Sequence, residues 1–192
     1  MTQMNPEQHS SDYQLIFRIK NGDSVAFREL FYTYCQALIR FACRFTHDVD
    51  SAEDLVQEVF FKVWSNHQQL DPQLSIKSYL YAAVRNQALK QIRHQQVIEK
   101  AHTELRYSIY HQPTPEDFLN TNQIESAVMQ TIEELPEKCR LIFTMNRFDN
   151  LTYAEIADIL ELSVKTIETQ MGRALKKLRN KLNHLLQLMV LL

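Results

Sequence analysis

The sequence predicts an all-α protein made of two small helical domains joined by a flexible linker. Three observations predict it. Gly22 and Gly172 are the only glycines and there are five prolines, while Leu, Gln, Ala and Lys, all good helix formers, are abundant. Apolar residues recur at three- and four-residue steps through most of the chain, which gathers them on one side of a helix. From 97 to 121 that periodicity lapses, Pro113 and Pro115 enter, and the stretch reads as a connector.

Composition excludes several function classes. Two isolated glycines cannot build a P-loop or a dinucleotide fingerprint. Cys35, Cys43 and Cys139 are odd in number and wrongly spaced for a zinc site or a disulfide framework, so reduced, buried, intracellular thiols are expected. The seven histidines are scattered in polar contexts, and no HExxH, GxSxG or clustered carboxylate motif occurs. The expectation is a non-enzyme with no catalytic residue, cofactor, metal or small-molecule substrate. The first ten residues are polar rather than a secretory signal, and no apolar run approaches the ~18 residues that span a bilayer. A soluble, cytoplasmic protein is expected.

The net charge of −2 hides an uneven distribution. Residues 1–100 carry 11 basic and 11 acidic groups, 101–135 carry 1 and 6, and 136–192 carry 9 and 6. Positive charge is therefore concentrated near the C-terminus, where a polyanion could be met.

Taken in order, Met1–Ser10 reads as disordered and Asp12–Lys20 as a short helix. Asn21-Gly22-Asp23 is a turn signal. A helix over Ser24–Phe45 carries the stripe Phe27, Leu30, Phe31, Tyr34, Leu38, Phe41 and Phe45, which reads as core. Ser51 with Asp54 marks another start, and the helix of about 52–67 buries Ala52, Leu55, Val56, Val59, Phe60 and Val63. Its other face lines up Asp54, Gln57, Glu58 and Phe61. Acids in a first turn answer to the helix dipole; an aromatic beside them fits a protein docking surface. Asn66–Ser75 is a polar loop. The helix from about Ile76 to His94 places Lys77, Tyr81, Arg85, Leu89 and Arg93 at steps of four, a basic row with an aromatic that suits single-stranded nucleic acid, unless Tyr79 and Tyr81 are core edges. After the connector, Thr114-Pro115-Glu116-Asp117 looks like a cap followed by proline in a first turn. One helix then runs to Leu135, and Pro136 opens another to about Phe148.

Thr152–Lys181 is the most specific stretch. Thr152 and Glu155 have capping-box spacing, the helix they start ends near Leu160, and Ser163 can cap the next. Small Ala157 permits close approach by Ile167. Two helices with so short a turn are helix-turn-helix geometry, whose second helix enters the major groove. That helix sets Val164, Ile167, Met171, Ala174, Leu175, Leu178 and Leu182 on one stripe and Lys165, Thr166, Thr169, Arg173, Lys176 and Lys177 opposite. From 163 to 181 it carries six basic residues against Glu168 alone, a footprint for phosphate. Glu161 stands where such turns favour glycine. The tail His184–Leu192 is apolar, and is expected to extend the stripe into the core.

Three segments in this order carry a family resemblance. IKNGDSVAFRELFYTYCQALIRFACRFTHDVDSAEDLVQEVFFKVW resembles the first part of domain two of the sigma-70 family, and SYLYAAVRNQALKQIRH resembles its promoter-melting, −10-reading helix. LPEKCRLIFTMNRFDNLTYAEIADILELSVKTIETQMGRALKKLR resembles domain four, the −35 reader. With no long domain between them, the resemblance is to the small extracytoplasmic-function (ECF) group. It implies domains over 1–95 and 125–192 with a linker over 96–124, an alternative sigma factor, and core RNA polymerase and promoter DNA as partners. Members are often held by an anti-sigma factor, frequently membrane-bound. The resemblance implies that Asp54, Gln57, Glu58 and Phe61 dock on the polymerase clamp helices. It implies that Leu70, Asp71, Gln73 and Ser75 capture a base flipped from the −10 element, with Lys77, Tyr81, Arg85, Asn86 and Lys90 supporting the strand. Lys165, Thr166, Glu168, Thr169, Gln170 and Arg173 fall where the family reads −35 bases or adjoining phosphates, and Lys176 and Lys177 where it touches phosphate. The acidic connector would thread along the polymerase. Two rival classes are a response-regulator-type transcription factor, which SVKTIETQ also resembles, and a helical adaptor that binds polymerase without reading DNA.

Overall fold

The computed structural model describes the backbone of residues 6–101 and 123–190 and the side chains of 12–94 and 128–181. The chain divides into two units, Met1–His111 and Gln112–Leu192, and the described residues hold helices and turns with no strand.

In the first unit, α1 spans Pro6–Lys20, α2 Ser24–Thr46, α3 Val49–Ser65 and α4 Ile76–Ala101, with a 3-10 turn at His67–Gln69. Gly22 joins α1 to α2 at φ 84, a left-handed conformation that glycine adopts without a Cβ clash. Asp23 caps α2 by accepting from the amides of Val25 and Ala26 at 2.8 and 3.1 Å, and Arg18 Nε donates to it at 2.9 Å. The Ala26 amide and the Arg18 guanidinium hold its carboxyl below the ordinary value. Asp48, rather than Ser51, caps α3, accepting from the Ser51 amide at 2.8 Å. The six residues expected to be buried on α3 are all buried, as are Ile16 and Ile19 of α1. Aromatic rings interlock α2 with its neighbours: Phe31–Phe60, Phe27–Trp64 and Phe41–Tyr81 each have centroids 4.9 Å apart. Fully burying one such side chain contributes roughly 1.5–3 kcal/mol, so this three-helix contact adds to the unit's stability.

Two expected boundaries move. The helix expected to begin at Asp12 already starts at Pro6, within the segment read as disordered, and α4 continues past His94 into the expected connector. The cap expected at Thr114–Asp117 lies outside the described residues.

In the second unit, α5 spans Gln123–Glu133, α6 Glu137–Arg147, α7 Tyr153–Leu160 and α8 Val164–Val190. Thr152 and Glu155 form a complete capping box: the Glu155 amide donates to the Thr152 hydroxyl at 3.2 Å and the Thr152 amide to the Glu155 carboxylate at 2.8 Å. Glu161 ends α7 at φ 56, ψ 46, the left-handed position foreseen for a glycine. Its amide donates to the Asp158 carbonyl at 3.3 Å and the Leu162 amide to that of Ala157 at 2.9 Å, the Schellman pairing. Ser163 Oγ then accepts from the Thr166 amide at 3.1 Å and starts α8. Ile156, Ala157, Ile159 and Leu160 of α7 are buried, as are Ile167, Met171, Ala174 and Leu178 of α8, which packs on α5, α6 and α7. Val164 and Leu175, expected in the same stripe, are 43% and 37% exposed because they sit at its margins. The tail stays helical to Val190, but its side chains lie outside the described residues.

Candidate functional site

The second unit presents α8 across the tight turn. Its buried residues fix the helix's rotation, so Lys165, Glu168, Thr169, Arg173 and Lys176 are all exposed. Thr169 Oγ1 donates to the Lys165 carbonyl at 2.8 Å. Thr166 and Gln170 are half-buried: the Thr166 hydroxyl pairs with that of Ser163 at 2.8 Å, and Cys139 Sγ donates to the Gln170 carbonyl at 3.1 Å. Lys177 has partners within the unit. Its Nζ donates to the Glu134 carbonyl and lies 3.7 Å from that residue's carboxylate, with Lys181 at 3.8 Å from the other oxygen. The two lysines fasten α8 to the end of α5, which leaves Lys165, Arg173 and Lys176 as the outward cations of the predicted set.

On α3, Asp54, Gln57 and Phe61 share one open face, and Phe61 is 70% exposed. Leaving such a ring in water forgoes its burial, so the position fits a covered surface better than a lone one. Glu58 stands in that row but turns aside. Its carboxylate accepts from Gln87 Nε2 at 2.6 Å and pairs with Lys62 Nζ at 2.7 Å, while Lys62 also donates to Gln87 Oε1 at 3.0 Å. The Lys62 ammonium holds the Glu58 carboxyl below its ordinary range. This triad bridges α3 to α4.

Between α3 and α4 lies an open cavity of about 240 Å³, lined among others by Ile16, Leu70, Asp71, Ser75, Ile76 and Tyr79. That is below the ~300–1,000 Å³ of drug-sized sites and suits one flat group. Asp71 Oδ1 accepts from the Gln73 amide at 2.9 Å and Ser75 Oγ from the Ser78 amide at 3.2 Å, so both shape the loop. Gln73 is exposed and does not line the cavity; Leu70 lines it with a side chain otherwise buried.

The row foreseen along α4 is corrected. Tyr81 is 1% exposed and packs on Phe41, because its angular position on the helix falls beside that of buried Val84 and Ala88. Lys77 and Arg85 are half-buried, and Arg85 Nη1 donates to Asn86 Oδ1 at 3.2 Å. The aligned, exposed row is instead Tyr79, Asn86, Lys90 and Arg93, running from the cavity mouth. The phase of buried Leu80, Val84 and Ala88 was the sequence signal that would have found it.

Of the cysteines, Cys139 is buried whereas Cys35 and Cys43 are half-buried, which narrows the expectation of buried thiols. Burial pushes all three thiols up and away from the reactive thiolate. No described helix is long and apolar enough to cross a membrane.

The family model of sigma-70 region 2 matches residues 30–97, and that of sigma-70 region 4 matches 125–178, together well over half of the chain. This chain belongs to the sigma-70 family. Its relatives place it in the ECF group. The ECF RNA polymerase sigma factor SigW of Bacillus subtilis is 28% identical, over 88% of this chain and 96% of that protein. The ECF RNA polymerase sigma-E factor of Escherichia coli K12 is 27% identical over 92% and 97%, and the RNA polymerase sigma-H factor of Pseudomonas aeruginosa 28% over 92% and 96%. Two solved structures share the fold. One is CnrH in complex with the cytosolic domain of CnrY, with TM-score 0.61 and 23% identity over 90% of this chain and 97% of that one. The other is the sigma factor RpoE of Bartonella quintana in complex with the anti-sigma factor NepR, with TM-score 0.60 and 22% identity over 82% and 96%. On this sigma-70 chain, region 2 takes in α3, the cavity loop and most of α4; region 4 takes in the helix-turn-helix.

Proposed function

We propose that this protein is an alternative sigma factor that binds core RNA polymerase, recognises −10 and −35 promoter elements and directs initiation from them. The observation that carries this reading is the ordered pair of sigma-70 regions in one chain, each on a unit with its own outward polar face. In it, 1–95 and 125–192 are the working domains and 96–124 is the tether. Joining two modest sites on one polymerase raises effective concentration and makes specificity a property of the pair.

The roles follow exposure. Asp54, Gln57 and Phe61 dock on polymerase, and Glu58 keeps α3 aligned with α4. The cavity takes a base extruded from the −10 element, a step that costs a few kcal/mol of stacking which the cavity and the strand contacts must offset. Tyr79, Asn86, Lys90 and Arg93 guide the opened strand by stacking and charge. On α8, Arg173 and Glu168 read bases while Lys165 and Lys176 position the helix on phosphate. The work is recognition, done in the cytoplasm where polymerase and promoter are found. CnrH and RpoE were each captured with a partner, NepR being named an anti-sigma factor; a comparable inhibitor would cover these faces here. The response-regulator alternative calls for an α/β receiver, whereas the described part of the first unit is helical.

Two variants and two readouts, polymerase capture and −35 preference, test the division of labour. Asp54→Lys with Phe61→Ser should abolish capture of core polymerase, and Arg173→Ala should leave capture intact while altering −35 preference. Undiminished capture by the double variant would remove α3 from the interface.

A further inference from the structure

The matched region 2 begins at residue 30, yet the cavity is completed by residues that precede it. Lys20, in the last turn of α1, sends its half-buried Nζ to the Leu70 carbonyl at 3.0 Å, across 50 positions of sequence. Four residues earlier on the same helix, Ile16 is 1% exposed and forms part of the cavity wall. The loop is held at its start as well. His67 Nδ1 lies 2.7 Å from the Trp64 carbonyl, its ring stacks on Trp64 with centroids 5.1 Å apart, and a Cβ on Gly22 would stand 3.9 Å from its Nε2. One wall of the cavity and the anchor of its loop thus come from α1 and the turn after it.

We infer that Lys20 and Ile16 are specificity-determining positions for the −10 element: Lys20 positions the loop and Ile16 sets the depth of the cavity that receives a single unpaired nucleobase. This rests on the sigma reading and deepens it. A carbonyl held by an ammonium fixes the loop backbone beside Asp71, which lines the same cavity and whose Oδ1 accepts from the Gln73 amide. Without that anchor, the cavity can relax around the wrong base, so discrimination falls while affinity for polymerase and the −35 element stays.

The test is transcription by the full chain with core polymerase from a template set carrying each base at each −10 position. The native chain should prefer one base at one position by roughly 5- to 150-fold, the range for one recognised base. Lys20→Met, which keeps the apolar stem, should reduce that preference at least 5-fold at this position and leave the others within about 2-fold. Lys20→Arg, whose guanidinium can still donate to the carbonyl, should restore most of it. Ile16→Val, a mild enlargement, should raise use of a bulkier base at the same position. An unchanged base preference in Lys20→Met and Ile16→Val overturns the inference and leaves the sigma reading standing. Equal loss on every template, unrescued by Lys20→Arg, also overturns it, since that marks a general structural role. A native chain that drives no transcription at all removes both, and is told apart by that native result.

Discussion

Glu161 offers the sharpest test of how the helix-turn-helix is held. It occupies φ 56, ψ 46 at the end of α7, and its amide and that of Leu162 close the Schellman pairing on Asp158 and Ala157. A left-handed conformation costs an L-residue roughly 1–2 kcal/mol, and glycine avoids that while losing about 0.5–1 kcal/mol more chain entropy on folding. Glu161→Gly should therefore stabilise the second unit by about 0.5–1 kcal/mol. In a domain of this size each kcal/mol moves the melting temperature by roughly 4–8 °C, so a rise of about 2–8 °C is expected. Glu161→Val, β-branched at the same φ, should move it the other way by more than about 1 kcal/mol. Thermal unfolding followed by circular dichroism, with transcription as a check that the turn still works, measures both. A neutral or lower midpoint in Glu161→Gly together with native stability in Glu161→Val would refute the argument that this turn carries backbone strain.

Other outcomes follow from burial and charge. Tyr81→Ala, at a 1% exposed position against Phe41, should cost about 3–5 kcal/mol in urea unfolding, which separates a core role from a strand contact. Phe61→Ser should change stability by less than about 0.5 kcal/mol, because the ring is 70% exposed, yet weaken core polymerase binding by about 2 kcal/mol, roughly 30-fold, in a titration. Asp23 and Asp48 cap helices with carboxyls held below their ordinary value of 3.8, by the Ala26 amide and the Ser51 side chain respectively. A lowered folded value means their stabilisation is present above that pH and lost as pH falls through the folded values. The melting temperature should decline below about pH 4 in the native chain, and less steeply in Asp23→Asn, which loses the charge but keeps a capping oxygen.

Features set by neighbours in sequence were legible before the structure. The Thr152–Glu155 box, the Ser163 cap and the left-handed Glu161 are decided within a few residues, and the apolar spacing of α3 assigned all six of its buried side chains. What local pattern missed has a different cause. Lys177 is committed to Glu134 across 43 positions, Glu58 to Gln87 across 29, and Lys20 to Leu70 across 50; charge patterning along one helix carries no trace of such partners. Tyr81 shares the phase of buried Val84 and Ala88, and a row drawn at steps of four from Lys77 leaves the core only as it reaches Arg93. Tyr79, weighed as a core edge, is exposed, its position set by the phase of Leu80, Val84 and Ala88. The cavity drew on Ile16 as well as on the loop, and the loop alone pointed to only part of its lining.

The most direct measurement is in vitro transcription from a randomised promoter library by core RNA polymerase, with and without this protein. Transcripts should depend on the added protein and start downstream of paired −10 and −35 elements, with the −35 preference altered by Arg173→Ala. Failure to bind core polymerase, or binding without any promoter-selective initiation, would contradict the sigma reading.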